Sequence, residues 1–306
     1  MVWLSGLLPY AQCEAVWQQI GHKSIAATSI WRQTQRYGER LETYLEAHIQ
    51  TTQPEAVDRV EFDNEQPDPK GISMDGGMVN TREEGWRELK VGAVFDIETG
   101  FEPHPLTGYL TKMARGVNVH YTAVLGSKTD FEPSLWHLAW EHHVPQAKHQ
   151  GVVADGAAWI WNIADCHFSQ AYHIVDWYHA TQHLASAAYL RYPEDEAARQ
   201  AWETTMRDHL YAGQVDVIMS DLVDTPAISK AHYFDTHAHR FNYEQTRLAG
   251  FPLGSGTVES GIKQFKQRLS GAGMRWNIAN AQQMASIRAT VLSHTFFDTW
   301  QTVSLH

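Results

Sequence analysis

Cysteine is scarce in this sequence, with two residues, Cys13 and Cys166, in a chain of 306. Two cysteines without metal-ligand spacing argue against a disulfide framework and fit a reducing cytoplasm. No apolar run reaches the length of a membrane span. The apolar start, MVWLSGLLPYAQC, lacks a basic leader and a long apolar core, so we do not interpret it as a signal peptide. These absences argue against secreted, disulfide-rich and membrane-spanning proteins.

Positively charged residues are also few. The chain has 24 Lys and Arg against 35 Asp and Glu, which gives a formal net charge of −11 with its 18 His neutral. This balance is not that of a bulk nucleic-acid binder, so any DNA contact must come from local basic patches. Hydrophobic residues make up 43% of the chain, and its length allows one sizeable α/β domain with appendages or two domains.

The N-terminal part, residues 1–50, has a helical pattern interrupted by a glycine. One helix is predicted to stop at Gly21, and a second, rich in Ser, Arg and Gln, follows over residues 22–36. This layout is typical of a helix-turn-helix DNA reader, in which Arg32 and Arg36 would contact DNA. An ordinary helical hairpin has the same pattern.

The spacing of apolar residues changes after the N-terminal part of the chain. Residues 51–70 are polar and proline-bearing, as in a linker. Short apolar runs then predict strands over residues 71–76, 88–98, 118–125, 152–155 and 172–175. The first three read as an antiparallel meander, and the rest alternate with helices, including one predicted over residues 134–143. The fold class is therefore predicted as α/β, with an RNase H-like mixed sheet.

The catalytic core of this predicted fold is divided in two. Its first part covers residues 71–180, and an all-helical insertion follows over residues 181–249, with helices expected at 194–211 and 231–248. The last part, residues 250–306, contains a helix that carries Glu259 and a closing helix over residues 279–293.

Three acidic residues far apart in the sequence have related surroundings. Asp75 follows a short apolar run and precedes two glycines, Asp155 ends GVVAD before a glycine, and Glu259 lies in GSGTVES. Two Mg²⁺ ions about 3.5–4 Å apart can activate a water or hydroxyl and stabilise a leaving oxygen, and such ions prefer carboxylate ligands. We therefore predict that the three acids meet in space. Each aspartate taken alone also fits a turn residue or a helix cap.

Four segments extend this pattern to a family resemblance. They are MDGGMVNTREEGWRELKVG, ADGAAWIW, IVDWYHATQHL and LGSGTVESGIKQFKQRLSGAGMRW. Together they resemble bacterial insertion-sequence transposases of the DDE type, in particular the Kra-type group, which is related to the Mutator-like transposases. The match covers most of the chain from residue 71 to residue 276, and the helical part before it fits the family's DNA-binding region.

The resemblance implies an RNase H-like catalytic domain with a helical insertion. It implies that Asp75, Asp155 and Glu259 are the metal-binding triad, and that Asp176 and His179 belong to the family's Asp/Cys-x-x-His motif. Because these two residues are three apart, they share a helix face if the helix has begun. Asp176 could equally be the N-cap of that helix.

The resemblance also implies an activity and its partners. It implies DNA recombination by transposition, with two Mg²⁺ or Mn²⁺ ions as cofactors. The partners would be terminal inverted repeats and target DNA, bound by a homodimer or higher oligomer at the bacterial nucleoid, with no membrane involved. Such transposases are longer at the N-terminus, so this sequence is expected to start inside the region before the catalytic domain.

Aromatic and basic side chains near the acids are candidates for DNA contact. Trp159 and Trp161 could stack on an unpaired base, although at least one is expected to be core. Phosphate contacts are predicted for Lys263, Lys266, Arg268 and Arg275, and a solvated helix face is the alternative.

Three other functions remain open at this stage. One is a structure-specific nuclease with the same triad, and another is a truncated, non-catalytic DNA-binding remnant. The third is a metallohydrolase built on His232, His237 and His239. The spacing of these histidines matches no standard zinc site and no cysteine joins them, which disfavours zinc.

Overall fold

The computed structural model describes residues 1–52 and 68–305, and within them the chain forms an α/β structure. One open, mixed sheet of five strands is accompanied by thirteen α-helices in this described part. The strands are β1 (Lys70–Thr81), β2 (Gly85–Pro103), β3 (Leu110–Leu125), β4 (Gln150–Ala154) and β5 (Tyr172–Val175).

The helices fall into four groups along the chain. Three precede the sheet: α1 (Val2–Leu7), α2 (Tyr10–Gln19) and α3 (Ala27–Thr51). Two lie between strands: α4 (Lys128–Glu141) and α5 (Ala158–His167). After β5 come α6 (Trp177–Arg191), α7 (Glu196–Tyr211), α8 (Val215–Leu222), α9 (Ile228–Thr236), a 3₁₀ turn (Ala238–Arg240) and α10 (Tyr243–Leu248). The last three are α11 (Gly256–Leu269), α12 (Ile278–Leu292) and α13 (Phe296–Leu305).

Strand β1 lies at the centre of the sheet, whose order is β3-β2-β1-β4-β5. Short turns join β1 to β2 and β2 to β3, so these strands form an antiparallel meander. β4 is parallel to β1, and β5 is parallel to β4. Parallel pairing needs a crossover, which α4 and α5 supply. The sequence predicted this alternation and the bounds of β5.

The first three strands are longer than predicted, and this corrects the position of Asp75. The expectation that Asp75 ends a strand is wrong, because β1 continues to Thr81. Gly76 and Gly77, which follow Asp75, are residues that weaken a strand locally. They remain in the strand because they pair with Lys90 and Leu89 of β2.

Helices cover both faces of the sheet, with a separate core on each. On one face Ile72, Met74 and Val94 pack with α4, α5 and the helices after β5. On the other, Val79 and Val91 pack with α11 and α12. Because side chains alternate along a strand, Asp75 and its cross-strand partner Val91 point towards α11.

The helical insertion differs from its prediction in one place. A helix was expected over residues 231–248, but α9 ends at Thr236 and α10 begins at Tyr243. Phe241 and Tyr243 are both fully buried. On a continuous helix they would point about 200° apart, so the break lets both rings enter the core. The Tyr243 hydroxyl then donates to the Val175 carbonyl at 2.8 Å.

The N-terminal helices pack on the last helices of the chain. Tyr37 and Leu41 of α3 share a core with Ile287 of α12 and Phe296 of α13. Helix α2 ends at Gln19, just before Gly21 as the glycine predicts, and the next helix starts at Ala27 rather than at residue 22. Of the predicted linker, residues 53–67 lie outside the described part.

No helix in the described part of the chain is both long and apolar enough to cross a membrane.

Candidate active site

Asp75 lies in the middle of the central strand and points towards α11. Two residues further on, Gly77 faces the same helix, and a Cβ there would lie 3.5 Å from the side chain of Lys266. This is an ordinary van der Waals distance, so α11 crosses the sheet in contact with β1 next to Asp75. The carboxylate accepts a hydrogen bond from the Gly76 N–H at 2.6 Å.

Asp155 follows β4 directly and lies level with Asp75. The parallel register pairs Ile72 with Val152, and three more residues along each strand reach the two aspartates. Just before them, the Ser73 hydroxyl donates to the Val153 carbonyl and ties the strands together. The Asp155 carboxylate accepts from the Ala157 N–H at 2.9 Å, which fixes the turn into α5.

Glu259 lies in the first turn of α11, on the face that crosses the sheet. One of its carboxylate oxygens lies 3.3 Å from the Ser255 hydroxyl, whose single proton is donated to Asp176 at the shorter distance of 3.0 Å. The other oxygen lies 3.8 Å from the Lys263 ammonium, one turn along the helix. Helix α11 therefore holds an acid and a base side by side at the sheet.

These acids border one cleft of about 330 Å³. The structure thus brings together Asp75, Asp155 and Glu259, which lie far apart in the sequence. The other residues that line this cleft are Met74, Asp176, His179, Gln182, Ser255, Ile262, Lys263 and Lys266.

The electrostatics of Asp75 reflect this crowding. The pKa of Asp75 is raised to about 6, chiefly by burial and also by the nearby carboxylates of Asp155 and Glu259, against the Gly76 N–H and Lys266, which lower it. Burial and the repulsion between neighbouring carboxylates both disfavour the ionised form of Asp75. A cation bound there would relieve the repulsion.

We expect Asp75→Asn to stabilise the ion-free protein at neutral pH. The pKa of about 6 in the folded chain exceeds the ordinary value of 3.8. Protonation therefore contributes stability that is complete below about pH 4 and is lost as the pH rises through 6. The amide is uncharged throughout, so thermal unfolding at pH 7.5 without divalent ions should show a higher Tm than the wild type.

The same variant should respond less to Mg²⁺. Ion binding to the folded state raises Tm, and removing one ligand weakens that linkage. Asp208→Asn, at an exposed acid of α7, is the control and should change neither value. A lower Tm for Asp75→Asn at pH 7.5, or an undiminished Mg²⁺ response, contradicts the expectation.

The donor set suits hard divalent cations, because all three acids offer carboxylate oxygens. Two ligands of one Mg²⁺ ion lie at most about 4.2 Å apart, since each bond is about 2.1 Å. Among the described residues, the one group of three potential ligand atoms that all lie within 4.8 Å of one another belongs to Glu132, Cys166 and His167. The carboxylates of Asp75, Asp155 and Glu259 form no such group, so they do not enclose a single ion.

Asp176 is a positioning residue rather than an open ligand. It is 1% exposed and caps α6, accepting from the His179 N–H at 2.7 Å. Its other oxygen accepts from the Ser255 N–H at 2.6 Å and from the Ser255 hydroxyl at 3.0 Å. The N-cap alternative from the sequence is therefore what the structure contains. Through Ser255, Asp176 also fixes the turn that leads to Glu259.

Two polar residues of the cleft, Gln182 and Ser255, were missed by the sequence analysis, as were the apolar Met74 and Ile262. With Asp176 and His179, Gln182 continues a three-residue spacing along one face of α6, which was the available signal. His179 lines the cleft, and its ring lies 5.2 Å from the ring of His183. Ser255 had no such signal, because its role depends on contact with Asp176.

The predicted basic contacts divide into two groups. Lys263 and Lys266 line the cleft, and Arg275 is exposed beyond α11, as are Arg32 and Arg36 on α3. The prediction that Arg268 contacts phosphate is wrong.

Arg268 is instead part of the core. It is 2% exposed and donates to the Ser5 carbonyl at 2.7 Å. Its guanidinium lies 5.1 Å from the rings of both Tyr10 and Trp276. Its helix position turns it away from Lys266 and towards α1.

Trp159 also lies away from the cleft, which corrects its predicted DNA contact. Its ring packs edge-on against Phe131 at 5.8 Å, under the ammonium of Lys90 at 4.5 Å. Lys90 neighbours Val91 in β2 and therefore points to the sheet face opposite Asp75. Trp161 is buried, so both tryptophans pack inside the protein.

The histidines of the insertion form no metal group within the described residues. His237 is buried, with its Nδ1 3.1 Å from the Arg240 guanidinium. Burial, together with Arg240, lowers its pKa to about 4. It is therefore a neutral, packed side chain.

Comparison of the sequence with protein-family models and with curated proteins gave no match.

Proposed function

We propose that this chain is a metal-dependent DDE transposase that cuts and joins DNA. The observation that carries the proposal is the cleft in which Asp75, Asp155 and Glu259 lie together beside Lys263 and Lys266. Carboxylates suited to divalent ions, next to side chains suited to phosphate oxygens, are the two requirements of phosphodiester chemistry.

The sheet supports the RNase H-like part of the proposal. An antiparallel meander is followed by two parallel strands, and β1 and β4 lie side by side at the centre. Their adjacency places one acid of each strand at the same level. A helical segment from α7 to α10 then separates β5 from α11, where the third acid lies.

Each residue of the cleft has a defined task in this proposal. Asp75, Asp155 and Glu259 would hold two Mg²⁺ or Mn²⁺ ions, which supply activation of the attacking oxygen and stabilisation of the leaving oxygen when bound. Lys263 and Lys266 would bind phosphate oxygens of the same strand.

The remaining cleft residues orient these groups. Asp176 and Ser255 hold the helix start that presents Glu259. His179 and Gln182, on one face of α6, are placed to orient the scissile strand.

The reaction has two stages in this proposal. Water first attacks a phosphate at the transposon end, a new P–O bond forms, and the 3′ oxygen leaves. That 3′-hydroxyl then attacks a phosphate of the target DNA, and the target's own 3′ oxygen leaves. The helix-turn-helix interpretation of α2 and α3 adds contacts from Arg32 and Arg36 to the DNA ends.

The test is a strand-joining assay with pre-cut ends. Duplex oligonucleotides that carry the inverted repeats flanking the reading frame, with free 3′-hydroxyls, are incubated with Mg²⁺ and a supercoiled plasmid. We expect joined products with the wild type and none with 3′-dideoxy ends, because joining requires the terminal hydroxyl. Nicked plasmid without joining indicates a nuclease, and bound DNA without either product indicates a non-catalytic remnant.

A further inference from the structure

A second cavity lies directly beside the acidic cleft. It has a volume of about 680 Å³ and lies between the β2–β3 hairpin, the start of α6 and the start of α11. Three aromatic side chains, Tyr121, Trp177 and Tyr178, contribute to its walls. We call it the aromatic groove.

The groove and the cleft are separated by about one residue. A Cβ at Gly254 would lie 3.3 Å from the Tyr178 ring and 3.6 Å from the Asp176 carboxylate. Along α11 the boundary falls between neighbours, since Glu259 lines the cleft and Ser260 lines the groove. The cleft and the groove therefore adjoin at the start of α11, within the reach of neighbouring units of one nucleic-acid strand.

The two cavities differ in charge. The cleft holds four acids and two lysines. The charged residues of the groove are Arg115 and Glu102, whose side chains pair at 3.6 Å, and Arg115 also donates to Glu98 at 2.9 Å. The rest of its lining is neutral, so the groove suits an uncharged, planar group attached to the charged group in the cleft.

Two features of the groove are unused within the described part of the protein. Tyr178 is 55% exposed, although its ring lies against Gly254. The Thr257 hydroxyl is buried without a hydrogen-bond partner, whereas the Thr257 carbonyl accepts from the Tyr121 hydroxyl at 3.0 Å. Buried hydroxyls nearly always have partners. The exposed ring surface of Tyr178 is therefore available to a ligand, whereas the buried Thr257 hydroxyl is not.

We propose that the aromatic groove binds the base of an unpaired nucleotide adjacent to the phosphate in the cleft, with Tyr178 as the stacking surface. The inference rests on the proposed function, because the cleft must first bind a DNA strand. A nucleotide matches both cavities, since its phosphate is charged and its base is planar and neutral. Stacking on an aromatic ring tolerates any base, so the groove fixes the strand without reading its sequence.

The test uses DNA in which one unpaired base reports stacking. The probe is a duplex with three-nucleotide single-stranded flaps that carry 2-aminopurine next to the junction, in Ca²⁺ to prevent turnover. Wild type and Tyr178→Phe should quench the fluorescence on binding. Tyr178→Ala should lose the quench and bind flapped DNA about ten- to a hundredfold more weakly, with unchanged affinity for blunt duplex.

Tyr189→Ala is the matched control. Tyr189 lies on the same helix, is 60% exposed and is absent from the groove lining. If Tyr178→Ala retains both the fluorescence quench and the affinity for flapped DNA, the groove inference is overturned and the proposed function is not. If the wild type binds no DNA, the proposed function is overturned as well. If Tyr178→Ala fails to fold, the inference is tested by photo-crosslinking the wild type to flapped DNA that carries 5-iodouracil at the unpaired position. Crosslinks at Tyr178 support the groove, and crosslinks elsewhere overturn it.

Discussion

Asp155→Asn is expected to lower the rate of Mg²⁺-dependent DNA cleavage by about a thousandfold or more. Replacing a carboxylate by an amide removes an anionic ligand, and the metal contribution it supports is worth several kcal/mol of transition-state stabilisation. Glu259→Gln should have an effect of the same order, because both acids border one cleft. Nicking of a supercoiled plasmid over time measures the rate.

Controls separate this loss from general damage to the protein. Asp208→Asn makes the same chemical change at an exposed site and should cleave at the wild-type rate. DNA binding by Asp155→Asn, measured in Ca²⁺, should persist because Lys263 and Lys266 remain. Undiminished cleavage by Asp155→Asn would rule out catalysis at this cleft. If His237→Ala loses activity and Glu259→Gln keeps it, the result would favour the histidine metallohydrolase.

Asp176→Ala should destabilise the fold by about 2–4 kcal/mol. The change removes the helix cap on the His179 N–H, worth about 1 kcal/mol, and leaves the Ser255 N–H buried without its acceptor, at about 1–3 kcal/mol. The Ser255 hydroxyl can turn to Glu259, 3.3 Å away. Urea unfolding monitored by tryptophan fluorescence measures the loss.

Two variants make the Asp176 prediction specific. Asp195 caps α7 in the open, accepting from the Ala198 N–H at 2.9 Å, so Asp195→Ala should cost only about 1 kcal/mol. Asp176→Asn keeps one acceptor oxygen but directs an NH₂ group at a donor. Its loss of stability should therefore lie between those of Asp195→Ala and Asp176→Ala. Equal losses for Asp176→Ala and Asp195→Ala would mean that the buried link to Ser255 contributes nothing.

Much of the architecture could be predicted from sequence because β4 and β5 are short, apolar runs bounded by polar residues. The strands of the meander were underestimated for a physical reason. Gly76 and Gly77 have a low intrinsic preference for strands, and their pairing with β2 keeps them extended. Pairing partners are distant in the sequence, so a local pattern does not contain them.

In the candidate site, too, residues with a local sequence signal were predicted, and residues whose position depends on tertiary packing were not. Asp75, Asp155 and Glu259 stood out because a strand, a glycine or a helix start accompanies each one. Arg268 was misassigned because its helix face looks solvated until α1 packs over it. Trp159 was misassigned because the side of the sheet that α5 covers depends on the crossover, not on neighbouring residues.

The order of the acids along the chain has a consequence for protein synthesis. Glu259 and the cleft lysines belong to α11, which begins at Gly256, after the whole insertion. Ribosomes make the chain from its N-terminus, so a polypeptide abandoned before α11 contains two of the three acids and neither lysine. Interrupted translation of this protein is therefore expected to release fragments in which the cleft is incomplete.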